Sequence, residues 1–199
     1  MNTLTIDFDI VMAPDIQLYN GLVPGINWKE LTKYPQLAVL RPNCFIYTKL
    51  TNFLLKLIKN NPKFFLIQDH GMAAKIIELF GSTNLINIDH HHDIAYKDGP
   101  RASEQLTCAN WVEWLYQENL LENYYWIGDK QSKDCEFKVD FEYEKLLIED
   151  FSLDFYNFDI VILCLSEPWV PPYVRDLFYL WSDILKNNGY DNKIDFTVP

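Results

Sequence analysis

Leu85-Ile86-Asn87-Ile88-Asp89-His90-His91-His92-Asp93 is the stretch on which the fold reading turns. An apolar run short enough for one strand ends abruptly in two carboxylates and three imidazoles. If extended geometry continues past Ile88, side chains alternate between faces, so Asp89, His91 and Asp93 point to one side. Two oxygen donors and one nitrogen donor then share a small volume, which is a metal-ligand pattern. A solvated histidine tract or a turn-forming Asp explains neither the Asp-x-His-x-Asp spacing nor its place at a strand end.

Apolar runs predict strands over Leu4–Asp9, Lys63–Gln68, Leu85–Asp89, Tyr124–Ile127 and Asp159–Leu165. Helical spacing recurs at Leu50, Phe53, Leu54, Leu57 and Ile58, and again at Ala73, Ile76, Ile77 and Phe80. Trp111, Trp114 and Leu115 mark a third helix. Val174, Leu177, Phe178, Trp181 and Leu185 mark a fourth, with Pro172 suited to its first turn. Alternating strands and helices predict an α/β fold, a three-layer α/β/α sandwich on a mostly parallel sheet. With no repeat, linker or composition break, residues 1–199 read as a single domain.

In parallel sheets ligands bind beyond the carboxyl ends of the strands. Here those ends carry Asp7 and Asp9, Asp69 and His70, the Asp89–Asp93 cluster, and Ser166 with Glu167. Four separate strand ends supplying ligand-type or anionic groups predict one convergent site.

Composition narrows the function classes. A net charge of −11 disfavours nucleic acid and anionic membrane as partners, which need clustered Lys and Arg, and suits cations. Hydrophobic residues make up 49% of the chain, so a folded core is expected, and no run approaches the ~20 apolar residues of a membrane span. Cys44, Cys108, Cys135 and Cys164 form no Cys-x-x-Cys pair and read as reduced thiols. The N-terminus lacks a basic leader before an apolar stretch, so a cytoplasmic location is the default expectation.

The pattern resembles the arginase-like, or ureohydrolase, superfamily of binuclear manganese hydrolases. Asp89-His90-His91-His92-Asp93 looks like its Asp-x-His-x-Asp metal motif, and Gln68-Asp69-His70 like its Asp-His element, whose His is a ligand. The family's Asp-x-Asp strand normally lies downstream. In this chain Thr5-Ile6-Asp7-Phe8-Asp9 has that form at the N-terminus, as in a circular permutation. The resemblance therefore implies Asp7, Asp9, His70, Asp89, His91 and Asp93 as ligands of two Mn²⁺ ions. Mixed carboxylate and imidazole donors suit manganese, with Fe²⁺ or Co²⁺ as alternatives.

The resemblance also implies that Glu167, at the end of the last strand, grips a guanidinium. Asp93 passes a proton to the departing amine, and Asn110 contacts the substrate's far end. Asn110 also reads as a helix-surface amide, and Glu167 as an exposed turn acid. His90 and His92, on the other alternation, read either as ligand-orienting groups and proton relays or as packed, hydrogen-bonded residues. The family's later His, a proton shuttle, has no counterpart here.

Short length, Asn110-Trp111 and Glu167-Pro168-Trp169-Val170-Pro171-Pro172 look most like the compact peptide arginases. Those enzymes convert arginine side chains of ribosomally made precursor peptides to ornithine, with release of urea. Other readings remain beside it: a ureohydrolase of free arginine or agmatine, and a deacetylase-like amide hydrolase, which would place a Tyr beside the metal. A non-catalytic, metal-stabilised peptide-binding module is the last. Trp111 and Trp169 suit an open peptide cleft, the core, or contacts in a homo-oligomer.

Overall fold

In this computed structural model, residues 1–12, 41–96, 99–136, 138–152, 157–166 and 170–190 are described. Glu167 and Trp169 lie outside them. The strands are β1 (Asn2–Asp7), β2 (Lys63–Ile67), β3 (Thr83–Ile88), β4 (Leu121–Gly128), β5 (Tyr143–Leu147) and β6 (Ile160–Cys164). The helices are α1 (Cys44–Lys59), α2 (Met72–Phe80), α3 (Trp111–Gln117) and α4 (Arg175–Asn187). All pairings in the sheet are parallel, in the order β2-β6-β1-β3-β4-β5.

Alternation along the central strands divides the core in two. Leu4, Ile6, Val161 and Leu163 pack with Leu50, Phe53 and Leu54 of α1 and with Phe178, Trp181 and Leu185 of α4. Leu85, Ile160 and Ile162 pack with Ala73, Ile76 and Ile77 of α2 and with Trp111, Val112 and Leu115 of α3. Helices therefore cover both faces, consistent with a three-layer α/β/α fold, and the buried strands read as near-continuous apolar runs for that reason. No described helix is long and apolar enough to cross a membrane.

One face also carries a buried polar ladder. Thr5 Oγ1 donates to Asn87 Oδ1 at 2.6 Å, Asn87 Nδ2 to the Tyr124 hydroxyl at 3.3 Å, and that hydroxyl to the His92 carbonyl at 2.7 Å. The chain links β1, β3 and β4 to the loop after β3, so each buried polar group is satisfied and the loop is tied to the sheet.

Two strand ends depart from the sequence reading. β1 stops at Asp7, and Phe8–Met12 turn into a 3₁₀ helix, so Asp9 does not sit on a strand. β3 stops at Ile88; Asp89 N makes a last ladder bond to the Ile127 carbonyl, and Asp89 Oδ1 then accepts from His91 N at 2.8 Å. That local bond turns the chain, so the period-two alternation past Ile88 is not what aligns the ligands. Pro172 lies in a turn ahead of α4, not in its first helical turn.

Candidate metal centre

The ends of three strands meet at one point on the sheet's carboxyl edge. Asp7 ends β1, His70 follows β2, and Asp89 follows β3. His70 Nδ1 lies 3.1 Å from Asp7 Oδ2, 3.0 Å from Asp89 Oδ2 and 3.0 Å from Asp93 Oδ2. The second oxygen of Asp89 faces elsewhere: His91 Nδ1 is 3.7 Å from Asp89 Oδ1 and 3.0 Å from Asp9 Oδ2. Asp7, His70 and Asp89 bring their donor atoms within 4.8 Å of one another, and so do Asp9, Asp89 and His91. Asp89 thus belongs to both groups, one oxygen in each.

Burial makes this arrangement costly unless a cation completes it. Asp7, Asp9, Asp89 and Asp93 are all at most 3% exposed, as is His70. Both oxygens of Asp9, both ring nitrogens of His70 and Asp89 Oδ2 are buried without a hydrogen bond. An imidazole nitrogen faces three carboxylate oxygens and bonds properly to none. Buried polar atoms are rarely left so, and a divalent ion is the partner that oxygen and imidazole donors at this spacing fit.

The protonation pattern has the same cause. Burial alone pushes His70 down, but Asp7, Asp89 and Asp93 overcome it and raise it well above the ordinary imidazole value. His91 is likewise pushed down by burial and raised by Asp9 and Asp89. Asp89, though burial opposes ionisation, is held well below the usual carboxylate range by both histidines. Asp9 is raised by burial and by Asp7 and Asp89, and Asp93 by burial and Asp89. These shifts favour protonation, without metal, of groups that a metal ion would otherwise hold deprotonated.

Surrounding residues fix the ligands. The Ser166 hydroxyl donates to Asp7 Oδ2 from a left-handed backbone position, φ +48°. Strain of that kind at a residue other than Gly collects at functional sites. Trp126 Nε1 donates to the Asp89 carbonyl at 2.9 Å, and Trp111 Nε1 to Asp93 Oδ2 at 2.7 Å. His90 Nδ1 pairs with Asp129 Oδ2 at 2.5 Å, and that carboxylate also accepts from Gln131 N and the Ser132 hydroxyl. The same strand-end logic, applied to the residue after Gly128, finds Asp129 in the sequence.

The sequence candidates separate as follows. Asp7, Asp9, His70, Asp89, His91 and Asp93 come together. His92 faces away: its Nδ1 accepts from Ile94 N at 3.0 Å, and burial and His91 push its pKa down to about 4, so it is neutral at pH 7. Asn110 is fully buried. Its Oδ1 accepts from Thr107 N, and its Nδ2 donates to the Pro100 and Gln105 carbonyls, each at 2.8 Å. Both amide hydrogens tie down the loop before α3, leaving no donor for a substrate. Trp111 is fully buried and lines no open cleft.

Cys108 sits beside this cluster. Burial, then the charges of Asp93, Asp69 and Asp7, push its thiol up to about 12. Since only the thiolate is alkylated readily, iodoacetamide at pH near 8 should label exposed Cys44 well before Cys108. Peptide mapping by mass spectrometry checks the order, and equal labelling would refute this electrostatic picture.

What the fold and site define is a parallel α/β protein with a buried Asp/His cluster fit for metal at its carboxyl edge. Neither a family model, a curated protein nor a solved structure matches the chain.

Proposed function

We propose that this chain is a guanidine hydrolase of the arginase type, acting on arginine side chains of a precursor peptide to give ornithine and urea. The observation that carries the reading is the division of Asp89, one oxygen with His70 and the other with His91. One carboxylate shared between two His/Asp groups is what a two-ion centre requires. Two divalent ions, Mn²⁺ by the donor set or else Fe²⁺ or Co²⁺, would lower the pKa of water and stabilise developing charge.

The protein's own groups supply the rest. Asp7, Asp9, Asp89 and Asp93 bring four negative charges, so a centre holding two divalent ions presents no net charge to repel a cationic guanidinium. Asp93, 3.0 Å from His70, would accept a proton and deliver it to the leaving amine. Glu167 is the proposed guanidinium partner; it follows Ser166, which touches Asp7. A carboxylate there would grip two guanidinium N–H groups at once.

A second reading, amide hydrolysis, gains support from Tyr96. Its ring stacks on His92 with centroids 4.5 Å apart and meets His91 edge-on at 6.2 Å. Burial, then Asp93, Asp89 and Asp9, raise its hydroxyl well above the usual value, so it stays a donor beside the cluster. The test is mass spectrometry of Mn²⁺-loaded protein with an arginine peptide, free arginine and an acetyl-lysine peptide. Loss of CN₂H₂ from the peptide supports the proposal. The same loss from free arginine alone indicates an ordinary ureohydrolase, and loss of acetyl alone indicates the amide hydrolase.

A further inference from the structure

Asp93 does not hold its own position. It is in the left-handed region, φ +52°, which Asp tolerates better than most residues but which its contacts must still select. Support comes from the first two residues of α3. Val112 N donates to the Asp93 carbonyl at 3.1 Å, and Trp111 Nε1 donates to its Oδ2 at 2.7 Å. Three aromatic donors hold the loop after β3. Tyr124 and Trp126 bond its backbone, at His92 and Asp89, while Trp111 bonds a ligand carboxylate.

Trp111 is fully buried, and its ring lies against His70 with centroids 4.9 Å apart. An indole N–H only donates, so it demands an acceptor oxygen at Oδ2. No solvent reaches this position to replace it. Asp93 in turn belongs to neither three-residue donor group, but its histidine contact is with His70, at 3.0 Å. The support therefore falls on the His70 side.

Building on the two-ion reading above, we propose that Trp111 is a positioning residue for the His70 half of the centre alone. It orients Asp93 toward His70, and the His91 half is independent of it. Phe at 111 preserves the ring against His70 and deletes the bond to Asp93.

The test is Mn²⁺ binding to metal-free wild type and Trp111→Phe by calorimetry with metal analysis, alongside electron paramagnetic resonance. Loss of an outer-shell bond of this kind weakens metal binding about 10–100-fold. Trp111→Phe should lose that factor at one position and keep wild-type affinity at the other. At free manganese that saturates both wild-type positions but lies below the weakened one, its spectrum should show isolated ions where wild type shows a coupled pair. Trp181→Phe is the control: it deletes the indole bond of another buried tryptophan, 2.8 Å to the half-buried Thr51 Oγ1, in the opposite helical layer. It should bind both ions normally.

Equal weakening at both positions, unchanged binding in Trp111→Phe, or the same loss in Trp181→Phe overturns the assignment to Trp111. A wild type that binds fewer than two ions overturns the two-ion reading itself, and with it this proposal. If Trp111→Phe does not fold, indole ¹H–¹⁵N spectra of wild type titrated with Zn²⁺ decide the matter, the remaining tryptophans being assigned by single Phe substitutions. The Trp111 N–H signal should shift as the His70 half fills, and a signal that stays fixed at saturation overturns the proposal.

Discussion

Asp89→Ala should bind neither ion and lose turnover to background, a larger effect than any other single ligand change. In the proposed centre Asp7 and His70 would serve one half and Asp9 and His91 the other, whereas Asp89 faces His70 with one oxygen and His91 with the other. Four-ligand structural sites bind Zn²⁺ with about 10–16 kcal/mol, so one ligand accounts for roughly 3 kcal/mol, or about 100-fold in affinity. Deleting Asp89 imposes that loss on both halves and removes the bridge between them. His91→Ala, by contrast, should leave the His70 half filled.

Metal analysis after dialysis distinguishes these cases directly: no bound ion in Asp89→Ala, one in His91→Ala. Activity on an arginine peptide should be absent in both. An Asp89→Ala protein that retains two ions would refute the shared-carboxylate geometry, whatever its activity. Asp89→Asn separates charge from shape, since the amide keeps an acceptor oxygen but gives up the negative charge. It should retain far less metal than wild type for the same reason.

Much of this centre was legible in the sequence because its ligands sit where the sheet's hydrophobic pattern ends. Ile88 before Asp89 and Ile6 before Asp7 mark the transition, and a parallel sheet places such ends on one edge. The means of convergence were not legible. Asp89 turns the chain through a local bond from His91 N that the strand pattern does not announce, and Asp93 at positive φ is held by contacts from α3 far along the chain. Edge strand β5, Tyr-Glu-Lys-Leu-Leu, was missed because it is mostly half-exposed and lacks a continuous apolar run. Asn110 followed the resemblance into a substrate role, but its buried amide is satisfied by the loop, a fact that depends on where Pro100 and Gln105 fold.

Metal should stabilise this protein strongly, and more so as pH rises. Without metal, the raised values of His70 and His91 mean that the folded state holds protons the unfolded state releases near 6.5. Their contribution is full below that value and is lost as pH rises through the folded values. Asp9 and Asp93, raised from 3.8, act in the same direction from lower pH upward. Two groups act oppositely: Asp89 adds stability above 3.8 that disappears only in acid, and His92 costs stability as pH falls from 6.5 toward 4. Above about pH 6.5 the latter two are constant, so the metal-free protein weakens with rising pH. Metal binding runs the other way, because its ligands must shed those protons. At free metal about 1,000-fold above Kd, each ion adds about 4 kcal/mol, roughly 8 kcal/mol for two. At about 2–4 °C per kcal/mol for a chain of this size, the melting temperature should rise by roughly 16–32 °C. Melts with chelator and with Mn²⁺ should therefore diverge progressively between about pH 6 and pH 8. A gap that is constant or narrows over that range would mean that protons and metal do not compete for His70 and His91.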